Sequence, residues 1–136
     1  MNKRSKAFEM PVRVYFQDTD AGGVVYHASY VNFLERARTE WLREHGFTNA
    51  GLMRELGVVF VVRSIKLDYL RPALLDDLLA VSAEIEEIGR SRVTLRQTVM
   101  RGDEVLTQAT VHLVCVAMDS FKPVSVPERL RQQWKD

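Results

Sequence analysis

One stretch of the chain keeps helical periodicity over several turns, and most of the sequence after it is written in the period of a strand. Tyr30, Phe33, Leu34, Ala37 and Trp41 fall at i, i+3, i+4, i+7 and i+11, which lines them along one face of a helix. The spacing predicts a helix over residues 28–44, roughly 25 Å long at about 1.5 Å per residue. Glu35, Arg36, Arg38, Thr39, Glu40 and Arg43 fall largely off that stripe, and Arg36 and Glu40, at i, i+4, are placed to pair on its solvent side. His45 suits the negative end of the helix, and Gly46 suits a left-handed cap. A helix with one apolar face has to bury it against another layer, and the rest of the chain supplies strands.

Residues 1–10 read as a loose terminus. Val12, Val14 and Phe16 then alternate with Arg13, Tyr15 and Gln17, a half-buried strand with Pro11 at its first position. After the long helix, Thr48 can cap a short second helix carrying Leu52, Met53 and Leu56, with Gly57 at its end. The β-branched run 58–62 continues as Ile65, Leu67 and Tyr69 alternating with Ser64, Lys66 and Asp68. Pro72 breaks the turn region 71–77. Residues 78–88 alternate again, Gly89-Arg90 marks a tight turn into the strand that starts near Ser91, and Gly102-Asp103 is a two-residue hairpin signal. Residues 104–118 make a long last strand whose second half is apolar on both faces, so its outer side needs a cover. Pro123 and Pro127 punctuate the tail, and ERLRQQW suits a terminal helical turn. One strand, two helices and four strands make an α+β chain with an antiparallel sheet. Helices do not alternate with strands, which excludes a doubly wound nucleotide fold. With no internal repeat and no linker, residues 1–136 read as a single domain.

Charge and apolar content narrow the function. Nineteen basic against 18 acidic side chains give a formal net charge of +1, without the basic excess of a general nucleic-acid binder. No apolar run approaches the ~20 residues of a membrane span. The N-terminal decapeptide is basic but has no apolar signal core, so a cytoplasmic location is expected. The lone Cys115, in the apolar run HLVCVAM, reads as a buried packing residue.

Chemistry-bearing residues gather just before the long helix. Asp18 and Asp20 precede Gly22 and Gly23. Aspartate and glycine are ordinary turn residues, and that reading stays open. D-x-D-x-x-G also opens a calcium loop, but Gly22 occupies a ligand position and Ser29 stands where the closing glutamate belongs. The third reading is catalytic. A carboxylate beside glycines at a helix start lies near unpaired backbone N–H groups, which can hold a carbonyl oxygen while the carboxylate attacks it or activates water. His27 lies at the helix start, either as a packing or capping residue or as part of that site. No His-x-x-x-His or His-Glu pair suggests zinc, and no metal is expected. Neither a Gly-x-Ser-x-Gly elbow nor a phosphate-binding Gly-x-x-x-x-Gly-Lys loop is present. Arg90 and Arg92 flank the turn after Gly89, with Ser91 between them. They are either solvated surface charges or a clamp for the phosphates of a coenzyme. Arg63 and Lys66 are weaker candidates of the same kind.

The segment DTDAGGVVYHASYVNFLERARTEW resembles the hot-dog-fold acyl-CoA thioesterases of the 4-hydroxybenzoyl-CoA thioesterase family, and within it the bacterial Tol-Pal-associated YbgC type. The resemblance runs from about Pro11 to Pro127, through VVRSIKLDYLRPALLDD and VHLVCVAMD. It implies five antiparallel strands wrapped around the long helix, an arrangement that the strand and helix count matches by itself. It implies that Asp20 is catalytic, that Asp18 shapes the loop, and that the backbone N–H at His27 polarises the thioester carbonyl. Where the 4-hydroxybenzoyl enzyme has a tyrosine at that position, this chain has His27. The coenzyme A site maps loosely to Arg90, Ser91 and Arg92. The resemblance further implies a homo-oligomer, a dimer or tetramer with sites between subunits, and no cofactor beyond coenzyme A as part of the substrate. The expected function is hydrolysis of acyl-CoA to free acid and coenzyme A, linked to lipid metabolism and the Tol-Pal cell-envelope system. The rival is a non-catalytic hot-dog scaffold that binds acyl carrier protein or phospholipid-synthesis enzymes. A hot-dog dehydratase fits less well, because that chemistry wants a histidine paired with an acid across the site.

Overall fold

The computed structural model describes residues 7–134. Its elements are β1 (Phe8–Arg13), α1 (His27–Glu44), α2 (Asn49–Gly51, running on as a π-helical turn to Leu56), β2 (Val58–Tyr69), β3 (Leu78–Ile88), β4 (Arg92–Arg101), β5 (Glu104–Ala117) and α3 (Glu128–Trp134). The strands form one antiparallel sheet in the order β1-β3-β4-β5-β2. Sequence period and fold agree here. Val93, Leu95, Gln97 and Val99 of β4 lie opposite Leu113, Val111, Ala109 and Thr107 of β5, and all eight are buried. The residues between them, such as Thr94, Arg96 and Thr98, face the other side.

α1 lies across the inner face of this sheet. Tyr30, Phe33, Leu34, Ala37, Trp41 and Leu42 are its buried apolar residues, the expected stripe plus one. Each of the large ones contributes roughly 1.5–3 kcal/mol by burial, an upper range because the unfolded chain already hides some of this surface. Gly46 (φ +91°) ends the helix in the left-handed region, while the His45 ring meets the Trp41 carbonyl at 2.9 Å. Thr48 caps α2 by accepting the Gly51 N–H, and Gly57 (φ +66°) stops the turn beyond it.

The two-sided apolar end of β5 is enclosed by the chain's own tail. Val116 bridges to Pro123, the Val124 N–H donates to the Cys115 carbonyl, and the Ala117 N–H donates to the Lys122 carbonyl. α3 then closes the inner face: Leu130 is buried, and Trp134 stacks on Trp41 at 5.1 Å. Cys115 is buried in this corner, where desolvation pushes its thiol up to about 11, as suits a packing residue. β2, by contrast, pairs only with β5 among the described residues, and its other edge is open.

Three local expectations need correction. Pro11 does not start its strand. β1 begins at Phe8, and Pro11 sits in its middle opposite Ala80, tolerated because β1 is an edge strand. Residues 8–10 of the expected loose terminus are thus strand, and residues 1–6 lie outside the described residues. The same strand does not reach Phe16. Asp18 accepts the Tyr15 N–H at 2.8 Å and turns residues 16–18 into a 3-10 turn, leaving Phe16 80% exposed. Glu40 pairs with Arg43 at 2.7 Å, not with Arg36, because i, i+3 is an equally close neighbour on a helix.

Candidate active site

The loop between β1 and α1 holds one carboxylate oxygen of each of its two aspartates with a backbone N–H. Asp18 is a loop builder: besides its bond from Tyr15, its carbonyl accepts the Tyr26 N–H at 2.9 Å, which fixes the approach to α1. Asp20 occupies the tip. Its backbone bonds to Val24 and Gly23 close the loop, and Thr19 bridges to Val25 just below. The carboxylate is exposed, and its Oδ1 accepts the Gly22 N–H at 2.8 Å. Among the described residues Oδ2 has no partner, so one carboxylate oxygen is held and the other is available. Of the two glycines, Gly23 needs the freedom of its residue type, whereas Gly22 has only an ordinary contact to make room for. Gly23 has φ +82°, and a Cβ on Gly22 would come within 3.4 Å of Asp20 Oδ1.

The 72–77 turn supports the loop. The Val25 N–H donates to the Ala73 carbonyl, the Leu75 N–H donates to the Gly23 carbonyl, and Val24 bridges to Leu74. Ala73 in turn donates to the hydroxyl of the buried Tyr30, whose phenol pKa is raised mainly by desolvation. The turn itself is tied to the β4–β5 hairpin by ion pairs. Arg101 reaches Asp77 at 2.6 Å and Glu104 at 2.9 Å, and Arg71 reaches Glu104 at 3.0 Å. Hydrogen bonding from Arg101 first, and then its charge and that of Arg71, hold the Glu104 carboxyl below its ordinary 4.5. A carboxyl lowered by folding adds stability above its unfolded pKa and loses it as pH falls through the folded value. Glu104→Gln should therefore lower the melting temperature near pH 7, and the deficit should shrink as pH falls below the ordinary carboxyl value and vanish once pH passes below the folded value of Glu104. Calorimetry across that pH range checks this, and a deficit independent of pH would contradict it.

His27 is the first residue of α1, after Tyr26 in extended conformation. The N–H groups of a helix's first turn have no acceptor within the helix, and they carry the positive end of its dipole. The His27 ring is exposed and stands edge-on to Tyr69 at 5.1 Å, and Tyr69 packs edge-on to Tyr30 at 5.3 Å. The sequence gives no sign that Tyr69 belongs to the site. Its place as the last inward residue of β2 carries it to the helix start, a fact of register that strand period alone does not give. It lies opposite Thr107, whose buried hydroxyl has no hydrogen-bond partner among the described residues.

Arg90, Ser91 and Arg92 are not beside Asp20 in the same chain. β3 starts at the Asp20 end and runs 11 residues to the 89–91 turn, a separation of about 36 Å at roughly 3.3 Å per residue. The turn is rigidly held. Arg131 of α3 donates to the Gly89 and Arg90 carbonyls, at 2.7 and 2.8 Å, and the Cys115 N–H donates to the Ser91 carbonyl. The Arg90 and Arg92 side chains remain exposed. Arg63 and Lys66, also exposed, lie on the edge strand β2. Among the described residues no group of three or more His, Cys, Asp or Glu side chains is placed to hold a metal ion.

Comparisons with known proteins bear on the family and the fold. A family model described as the thioesterase superfamily matches residues 22–108. The chain is 47% identical over 124 residues to the acyl-CoA thioesterase YbgC of Haemophilus influenzae, covering 91% of each chain. Among solved structures, the probable thioesterase of Bartonella henselae superposes with a TM-score of 0.85 at 35% identity, over 90% of this chain and all of that one. A thioesterase from Thermus thermophilus, solved with coenzyme A and zinc, gives a TM-score of 0.79 at 28% identity, over 93% of this chain and 90% of that one. The hot-dog architecture expected from the sequence is thereby established.

Proposed function

Because the chain belongs to the thioesterase superfamily, we propose that it hydrolyses acyl-coenzyme A thioesters, releasing a carboxylic acid and coenzyme A, with Asp20 as the catalytic carboxylate. The observation that carries this reading is the Asp20 loop: one carboxylate oxygen fixed by Gly22, the other open, just before the first turn of α1. The thioester carbonyl oxygen takes the N–H at His27, where the helix dipole favours the charge that develops on it. Asp20 then either adds to the carbonyl carbon, giving an anhydride that water opens, or takes a proton from the water that adds. Both routes expel the thiolate, a good leaving group, and return Asp20 unchanged. The His27 ring and Tyr69 form a wall beside the reacting group.

The assembly proposed is a homo-oligomer, a dimer or tetramer built on the open edge of β2. Antiparallel pairing of two β2 strands about their midpoint sets Val58 of one copy opposite Tyr69 of the other. The end that carries Arg90, Ser91 and Arg92 then comes to the Asp20 end of the second copy. The coenzyme's phosphates would be held in trans by these residues. Coenzyme A enters only as part of the substrate. Arg90→Ala should raise KM for acyl-CoA several-fold with kcat nearly unchanged, as expected for a remote contact worth about 1 kcal/mol. The same variant should be indifferent on a truncated thioester that lacks the nucleotide. Equal loss on both substrates would remove Arg90 from the phosphate site.

A panel of acyl-CoA thioesters, run beside affinity for acyl carrier protein, tests the activity. Turnover on some of them supports the enzyme, whereas tight carrier binding without turnover favours the scaffold. A role in lipid metabolism and the Tol-Pal cell-envelope system is the finer part of this reading, motivated by the YbgC-type D-x-D segment, as is a cytoplasmic location. No helix among the described residues is long and apolar enough to cross a membrane.

A further inference from the structure

A cavity of about 160 Å³ lies between α1 and the open edge of β2, away from the Asp20 loop of its own chain. Its walls include Trp41, Leu42, Phe60, Val62, Leu113 and Trp134, and one strong cation, Arg38, is set among them. Arg38 is half-buried, and no carboxylate lies within ion-pair distance of it among the described residues. Its one hydrogen bond among the described residues goes to Gln97 Oε1, at 3.1 Å. Gln97 is fully buried, and its amide nitrogen donates to the Leu34 and Ser82 carbonyls at 3.1 and 3.0 Å. Those two bonds fix the amide, so its oxygen must face Arg38. The guanidinium is thus aimed by the core, and it retains donors beyond the one that Gln97 uses. Glu35, also lining the cavity, is exposed at its rim; it supports the Arg38 charge that burial disfavours.

A cationic fork beside an apolar wall, in a chamber whose other polar lining residues are Glu35, Thr39 and Asn49, is complementary to a carboxylate on an apolar stem. A cavity of about 150 Å³ is known to hold benzene, so this one accommodates about six heavy atoms. Its β2 residues, Phe60 and Val62, lie toward Val58, the end that edge pairing sets beside Tyr69 and the Asp20 loop of a second copy. We propose that this cavity receives the far end of the acyl group, and that Arg38 selects acyl groups ending in a carboxylate, the half-thioesters of short dicarboxylic acids. The proposal rests on the thioesterase reading and names the substrate class of that same site. Arg38 is here a specificity residue, and Gln97 positions it.

The test separates binding from turnover. Dissociation constants are measured for glutaryl-CoA and for its uncharged isostere 5-methylhexanoyl-CoA, in the Asp20→Asn background so that neither is consumed. The protein with Arg38 should bind the glutaryl thioester about tenfold more tightly, as a charge-assisted pair would give. Arg38→Met should reverse the order, and Arg38→Lys, which keeps the charge but loses the fork, should leave a reduced preference. A ratio near one with Arg38 present, or a ratio that neither substitution alters, would overturn the proposal. So would parallel weakening of both ligands. Circular dichroism identifies a variant that fails to fold, and the Lys variant then decides. Failure of the Asp20 chain to hydrolyse any thioester would sink the thioesterase reading while leaving this ratio measurable.

Discussion

Asp20→Asn should lose at least about a hundredfold in kcat on any acyl-CoA that the chain hydrolyses, the range a positioned base or nucleophile supplies, with little change in the folded state. The structure explains why the two effects separate. The asparagine amide oxygen can still accept the Gly22 N–H, and the backbone bonds of residue 20 to Val24 and Gly23 do not involve the side chain. What is lost is the negative oxygen that has no partner in the loop. KM should move little, because the contact is made in the transition state rather than with bound substrate. Steady-state rates with circular dichroism as folding control measure both. Near-normal turnover in a folded variant would remove Asp20 from the chemistry. Asp18→Asn is the companion control. Its oxygen keeps the bond to the Tyr15 N–H, so it should cost less.

The contrast between these two aspartates shows how far the sequence could be read. D-x-D-x-x-G by itself is compatible with a turn. Its likeness to a thioesterase segment named Asp20; in the loop each carboxylate has one oxygen held by a backbone N–H, from Tyr15 for Asp18 and from Gly22 for Asp20, and what differs is exposure, Asp18 being half-buried and Asp20 exposed at the tip. The α1 stripe, the caps at Gly46 and Gly57 and the period of β3 to β5 were legible because each is set by residues a few positions apart. Pairings distant in sequence were not. Tyr69 beside His27, Gln97 beneath Arg38 and Arg131 on the 89–91 turn all depend on register or on the path of the tail. Gln97 illustrates the difficulty. It occupies an inward position of β4, where alternation demands an apolar residue, and only the Leu34 and Ser82 carbonyls across the fold explain how an amide is satisfied there. Phe16 fails in the opposite sense. It continues the alternation of Val12 and Val14, yet the Asp18 carboxylate, two residues on, outweighs that pattern by closing a turn.

Val62→Lys should turn the assembly into monomers and reduce kcat/KM by more than about tenfold. β2 is a 12-residue strand with one unpaired edge, and such an edge offers its backbone groups to another chain. Val62 is 45% exposed on it, and Val59, Phe60 and Val61 are only half-buried. Because the wild-type side chain is so exposed in the single chain, a lysine there can reach water and should leave the subunit folded. In a two-fold pairing the substitution occurs twice at one interface, so two like charges that reach water in the single chain are brought into it, where desolvation disfavours each. The activity should fall for two reasons: Arg90 and the Arg38 cavity serve the Asp20 loop of the other copy, and Val62 is itself a wall of that cavity. Light scattering of the unsubstituted chain should give a multiple of 15.6 kDa at micromolar concentration, and the variant should give 15.6 kDa itself. A monomeric wild type, or a monomeric Val62→Lys variant with full activity, would show that each chain carries a complete site, and the in-trans placement of the phosphate and acyl ends would fall with it.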